Sequence, residues 1–346
     1  MALIIKKNIV PRFEGDTKAS LDFLKQVQQE LDVKKGQNLD GVIIDFGVEA
    51  IIRLSDMGNL RAVAEELEQC KDQGYLISLH APINPSDPAK VDLTTDEGFR
   101  VAEELTQFAD RNRIGLIVAH PNTLRSPEHF YGLIDARVLT APYINSNLSM
   151  LIASVSKLNR DFSNVKFTIE NKPYPATDEK NEGVIYSILC AQFGHIFRLK
   201  EAGIPITFDT AHYAITRATI NGALATHKLK GKPLSLIIDS MLGLFKEDFI
   251  YQPNIEDALT LLGKSVEGIH LNDAGFYQNV NGMNTYWEGL VPGKGSLVNY
   301  RDVTKYLKHE SKIRDISLVM EVYEKDYKKC PNAFETFKDF LVKLRD

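Results

Sequence analysis

The run IGLIVAH, Ile114 to His120, decides how the chain is read. Six of its seven residues are apolar or glycine, several are β-branched, and it stops abruptly at a histidine. A strand with one wet face alternates polar and apolar residues. A nearly continuous apolar run of this length instead suits a parallel strand buried on both faces. GVIIDF, Gly41 to Phe46, has the same form. Working outward, further runs lie at Leu3 to Val10, Tyr75 to His80, Val165 to Glu170, Ile204 to Asp209, Val266 to Leu271 and Ile316 to Glu321. Segments of helical period separate them. Ser20 to Leu31 puts Leu21, Leu24, Val27 and Leu31 on one face, and Asn59 to Cys70 does the same with Leu60, Val63, Ala64 and Leu67. Phe99 to Phe108, Ile185 to Leu199, Ser296 to Leu307 and Ala333 to Leu344 follow suit.

A strand-then-helix unit repeated eight times predicts a closed (β/α)8 TIM barrel, taken as one domain over residues 1–346. The competing doubly wound sheet needs a glycine-rich phosphate turn after its first strand. Pro11-Arg12-Phe13-Glu14-Gly15 is not one. Two connections are too long for simple turns and are expected to be insertions: Asn122 to Asn147 after strand four, with a short helical piece, and Tyr213 to Ser265 after strand six, with helical stretches at Leu234 to Phe245 and Ile255 to Leu262. Loops that follow barrel strands lie at the catalytic face, so both are candidate substrate covers.

Composition narrows the function classes. Hydrophobic residues are 44% and charged residues 25% of the 346, which fits an ordered globular chain. The net charge of −5 argues against broad nucleic-acid binding, although DNA stays possible through a local basic groove. Cys70, Cys190 and Cys330 are odd in number and far apart, so neither a disulfide framework nor a cysteine zinc site is expected, and the cytoplasm suits them best. No apolar run approaches a membrane span, and Met1 to Phe13 does not read as a secretory signal.

The strand ends carry the chemistry. Strands three to eight finish at His80, His120, Glu170, Asp209, His270 and Glu321, each preceded by apolar residues. In a parallel barrel these ends face one way around one axis. Three imidazoles and three carboxylates gathered there would repel or sit unpaired unless a cation bound them, and a divalent metal is the simplest answer. Imidazole with carboxylate suits zinc first, with manganese or iron also compatible. Singly, each residue has a plainer reading: a hydrogen-bonded loop histidine, a solvated acid, or, for Asp209 with His212, a helix cap and its first turn. His129, His195, His227 and His309 fall in helices or insertions and are read as packing or surface residues.

HAP at 80–82, HPN at 120–122, EN at 170–171, DTAH at 209–212, HLND at 270–273, PGKG at 292–295 and Glu321 resemble, in order and spacing, the endonuclease IV branch of the xylose isomerase-like TIM barrels. The resemblance spans roughly residues 75–325. It implies one metal held by His80, His120 and Glu170, and a second held by Glu170, Asp209, His270 and Glu321, with Glu170 bridging. His212 matches a ligand of that family's third zinc. The family completes this third site from an Asp-x-His before the Gly-x-Gly turn. Here Thr285 to Gly293 contains no histidine, and Glu288 stands as a substitute ligand. Gly47-Val48-Glu49-Ala50 shows no match to that family's DNA-intercalating loop.

Two chemistries follow. The first, which the pair His80 and His120 favours, is phosphoester hydrolysis of the endonuclease IV type, in which two metals activate a water and clamp the reacting oxygens. Lys172, Lys294 and Arg137 would contact phosphate. The second is isomerisation or epimerisation of a sugar or sugar phosphate on one metal held by Glu170, Asp209, His270 and Glu321. Glu170 and Glu321 would then move the proton, with His80 and His120 as substrate contacts. The two long covers favour a small phosphorylated or sugar-like substrate. A non-catalytic barrel leaves the converging acids and imidazoles without a purpose. Asn171, Asn272 and Asp273 are expected to orient ligands, Asn171 and Asp273 also reaching the substrate. Gly293 and Gly295 either let backbone approach the substrate or form a tight turn.

Overall fold

The computed structural model describes residues 1–13, 15–83, 90–121, 140–173, 176–177, 184–185, 189–226, 252–278, 284–295, 297–324 and 330–345. Its strands, in chain order, are β1 (Ala2–Ile9), β2 (Gln37–Leu39), β3 (Val42–Ile51), β4 (Leu76–His80), β5 (Leu116–Ala119), β6 (Lys166–Glu170), β7 (Ala176–Thr177), β8 (Val184–Ile185), β9 (Ile206–Asp209), β10 (Val266–Leu271), β11 (Asp273–Gln278), β12 (Asn284–Leu290) and β13 (Ile316–Met320). Its α-helices are α1 (Asp16–Glu30), α2 (Leu60–Asp72), α3 (Asp96–Arg111), α4 (Ala141–Asp161), α5 (Phe193–Glu201), α6 (Thr210–Thr226), α7 (Ile255–Leu262), α8 (Tyr300–Glu310) and α9 (Pro331–Arg345).

Eight of the strands form the expected barrel. The ring runs β1-β13-β10-β9-β6-β5-β4-β3, all pairs parallel, and β3 closes it against β1 from Ala2↔Ile43 through Ile9↔Ala50. The short β2 pairs antiparallel with β3 outside the ring, and β7–β8 and β11–β12 are separate hairpins. Each barrel strand is buried on both sides, which explains the apolar runs. One side packs on the helices, with Ile5, Phe46, Phe167, Phe208, Phe337 and Phe340 almost wholly buried. The other side lines the barrel and is more polar. There Thr168 Oγ1 and Thr207 Oγ1 lie 2.7 Å apart, and Ser78 meets Glu49.

Several boundaries differ from the sequence pattern; the helix expected from Ile185 begins only at Phe193, because Val184–Ile185 pairs with Ala176–Thr177 as a hairpin. Strand two does not stop at Phe46; β3 continues to Ile51, because closure against β1 supplies eight paired positions that local pattern cannot show. The connection after strand four is shorter than Asn122 to Asn147, since Ala141 to Asn147 already belong to α4. Thr140 caps α4 by accepting from Tyr143 N at 3.3 Å, and Ile144, Leu148, Leu151, Val155 and Leu158 form its buried stripe. The helix's many serines and asparagines mask that stripe in the sequence. After strand six, α6 takes up the first part of the connection and α7 matches Ile255 to Leu262. Leu234 to Phe245 and Arg137 lie outside the described residues.

Cys70, Cys190 and Cys330 are buried thiols outside any disulfide. Burial pushes the Cys70 thiol up to about 11 and Cys190 higher still. Among the described residues no helix is long and apolar enough to cross a membrane.

Candidate metal centre

The strand ends converge as their order in the sequence implies, and Glu170 is the hub. Its Oε2 lies 3.2 Å from His80 Nε2, 3.3 Å from His120 Nε2 and 3.5 Å from His270 Nδ1. Its Oε1 lies 3.1 Å from His212 Nδ1. His270 Nδ1 is also 2.9 Å from Glu321 Oε2. Asp209 both caps α6 and joins the cluster: Oδ1 accepts from His212 N at 2.6 Å and sits 3.7 Å from His212 Nδ1. The helix-cap reading and the cluster reading of Asp209 and His212 are therefore both true of the same atoms.

Three overlapping groups have donor atoms within 4.8 Å of one another: His80, His120 and Glu170; Glu170, Asp209 and His212; and Asp209, His270 and Glu321. His80 Nδ1 donates to the Ala81 carbonyl at 2.9 Å, which leaves Nε2, 3.2 Å from Glu170 Oε2, to donate to that carboxylate when the ring is protonated or to ligate a cation when it is neutral. Both ring nitrogens of His270 are buried without a hydrogen bond of acceptable angle, although carboxylate oxygens surround them. Lone pairs aimed at lone pairs fit a cation between them. The donor set, imidazole with carboxylate, suits a divalent transition metal.

Burial opposes charge on the imidazoles, but the surrounding carboxylates push His80, His212 and His270 upward, so protons or a cation can supply the positive charge here. Burial pushes the Asp209 carboxyl up to about 7; the nearby Glu170 and Glu321 charges add to that rise, while His212 and His270 oppose it. Burial and the Lys172 ammonium push His120 down to about 3, leaving a neutral ring. Burial alone would raise Glu170, yet the imidazoles of His120, His270 and His212 hold it well below the usual carboxylate range. Acids packed this closely need positive charge among them to ionise together.

No protein-family model matches the chain, and no curated protein matches its sequence. Solved structures match along nearly its whole length. A mannonate dehydratase from Streptococcus suis serotype2 superposes with a TM-score of 0.58 at 10% identity, covering 99% of this chain and 94% of that one. A xylose isomerase domain protein from Planctomyces limnophilus gives 0.55 at 13% identity, with 99% and 98% covered. D-psicose 3-epimerase from Clostridium cellulolyticum H10, solved with D-tagatose, gives 0.53 at 10% identity, with 98% of each chain covered. The fold is that of the xylose isomerase-like TIM barrels. None of these three is an endonuclease, so the finer likeness to the endonuclease IV branch rests on the motifs alone.

In this TIM barrel the other expected site residues fall into different places. Asn171 pairs with the Asp209 backbone, donating to its carbonyl at 2.9 Å and accepting from its N–H at 2.8 Å. Asn272 donates to Asp209 Oδ2 at 3.3 Å and accepts from Ala211 N at 3.1 Å. Both orient Asp209. Lys172 Nζ lies 3.2 Å from His120 Nε2 and 3.3 Å from Nδ1. Lys294 is exposed and pairs with Glu335 at 3.3 Å. His195 is buried and His309 exposed, outside the cluster.

Asp273 is fully buried, and its carboxylate accepts from the backbone N–H groups of Ala274, Gly293, Gly295 and Val298 at 2.7–3.0 Å. Those oxygens are committed to the loop, which corrects the expected substrate contact to loop anchoring. The Pro292 to Gly295 segment is a tight turn: Gly293 has φ +87°, and a Cβ on Gly295 would meet the Ala274 carbonyl oxygen at 2.2 Å. Asp273→Asn keeps the shape but turns one acceptor into a donor facing buried N–H groups. It is expected to cost about 2–3 kcal/mol in urea unfolding; an unchanged midpoint would refute the anchoring role.

Two residues complete the picture. Glu288 on β12 places Oε2 3.2 Å from His212 Nε2, as its proposed substitution for the missing histidine requires. Its side chain is half exposed, and the adjacent His212 imidazole holds its carboxyl below the usual range. Glu49, just past the apolar run Gly41 to Phe46, lies on β3 inside the barrel with Oε1 3.1 Å from His270 Nε2. The signal was present: a polar residue two places beyond Gly47 keeps the inward period of strand two. Beside the cluster opens a cleft of about 520 Å³ lined by Asn8, Phe13, His212, Glu288, Glu321 and Tyr323.

Proposed function

We propose that the protein is a divalent-metal-dependent isomerase or epimerase acting on a small sugar or sugar phosphate. The observation that carries this reading over the hydrolase is the Lys172 ammonium, 3.2 Å from His120 Nε2. A cation there opposes a second metal on His80, His120 and Glu170, and leaves one ion for Glu170, Asp209, His270 and Glu321. The cleft volume lies within the ~300–1,000 Å³ usual for small-molecule sites. Phe13 (61% exposed) and Tyr323 (51% exposed) present aromatic faces at its wall. The net charge of −5 also disfavours a DNA substrate.

A divalent ion, zinc or manganese, would polarise a ketose carbonyl and its neighbouring hydroxyl, so that the hydrogen on the adjacent carbon becomes acidic. The protein supplies the proton carriers. Glu321 opens onto the cleft, its side chain 35% exposed, and Asn8 Nδ2 donates to its Oε1 at 3.4 Å. Glu170 is 1% exposed at the base, and both acids reach His270 Nδ1. One takes the proton and the other returns it. Lys172 would receive a substrate oxygen or phosphate beside His120.

Metal-loaded protein incubated with ketoses and their phosphates in D2O is expected to introduce deuterium at the carbon next to the carbonyl, with formation of the epimer or aldose. The hydrolase reading retains one supporting observation, the His80, His120 and Glu170 group. Phosphate release or cleavage of an abasic-site oligonucleotide, with no exchange into any ketose, would favour it and overturn the isomerase reading.

A further inference from the structure

Glu49 belongs to no strand-end motif, yet it touches the metal centre from below. Its side chain is wholly buried, and β3–β4 pairing sets it opposite Ser78, whose Oγ donates to Oε2 at 3.2 Å. That leaves Oε1 facing His270 Nε2 at 3.1 Å, two buried polar atoms at hydrogen-bond distance that a small turn of the ring would bring into line. The contact crosses the barrel interior, since β3 and β10 are not neighbours in the ring. The opposite nitrogen, Nδ1, faces Glu321 Oε2 at 2.9 Å, and Asp209, His270 and Glu321 form one of the candidate donor groups.

A neutral imidazole has one N–H and one lone pair. Which nitrogen can ligate is set by the hydrogen bond that the other one makes. We propose that Glu49 is a positioning residue that accepts the Nε2–H of His270, fixing the tautomer whose Nδ1 lone pair faces a divalent cation shared with Asp209 and Glu321. The proposal rests on reading those three residues as a metal site. Lys6, 3% exposed on β1, is a basic neighbour of Glu49, its ammonium pulled down to about 8 by burial.

The test uses zinc alone as probe on full-length protein carrying ¹⁵N-histidine, with His270→Gln to assign the His270 signals. Wild type is expected to bind zinc and to show His270 ligated through Nδ1, with a slowly exchanging, downfield Nε2 proton. Glu49→Ala should move that proton upfield or lose it to exchange, and should weaken zinc binding about 10–100-fold. Glu49→Gln keeps an acceptor oxygen of the same reach and should give an intermediate shift and a smaller loss. If the alanine variant does not fold, the glutamine variant alone decides. Ligation of His270 through Nε2, or an unchanged proton signal and zinc affinity in every variant that folds, overturns the proposal while leaving the metal site standing. A wild type that binds no zinc at its histidines overturns both.

Discussion

Glu170→Ala is expected to remove tight metal binding and to lower turnover about 10³-fold, within the range that acid–base residues contribute. Glu170 faces four imidazoles, His80, His120, His270 and His212, within 3.5 Å. It also belongs to two of the three donor groups. Without it His80 and His120, whose ring centroids are 4.9 Å apart, lose the carboxylate between them and the cation. His212→Ala should do less, because His212 Nδ1 is already bonded to the Asn171 carbonyl at 2.9 Å. A loss of about 10–100-fold in metal affinity is expected there. Elemental mass spectrometry on protein purified without chelator, paired with rates on the substrate found by deuterium exchange, checks both. Full metal content and a wild-type rate in Glu170→Ala would sink the site assignment.

The His80→Ala, His120→Ala double variant should keep the metal content of the wild type, one tightly held equivalent, and still lose most activity. The reason is Lys172. Its ammonium sits against both nitrogens of His120, which opposes a second divalent ion there and, on the proposed isomerase reading, leaves these histidines for substrate oxygens. Loss of the pair should cost about 10²-fold or more in kcat/KM through mispositioned substrate. Two equivalents in wild type falling to one in the variant would reverse the argument: Lys172 would then have to yield its place, and phosphoester hydrolysis would become the better reading. Lys172→Met offers a further check on the same physics, since removing the ammonium should let a second equivalent bind weakly.

What was legible in the sequence was whatever depends on local pattern. Strands buried on both faces must be apolar almost throughout, so IGLIVAH and its counterparts announced a parallel barrel. Strand ends must point to one rim, so His80, His120, Glu170, Asp209, His270 and Glu321 could be grouped from their order alone, and the structure brings all six together. The long helix α4 was missed because its buried stripe is diluted by polar residues and by Pro142 in the first turn. Asp273 was misjudged because a carboxylate at a strand end looks the same whether it faces substrate or backbone.

The sequence by itself determined the barrel and the ring of donors, because strand period and strand order are properties of single elements. Only the tertiary structure decided what those donors meet. Glu49 reaches His270 across the barrel through the register of closure between β1 and β3, Glu288 reaches His212 by the fold of the β11–β12 hairpin, and Lys172 meets His120 because β5 and β6 are neighbours. Each is a contact between elements whose relative position no local pattern encodes, since it is fixed by how many strands close the ring and how far each is staggered.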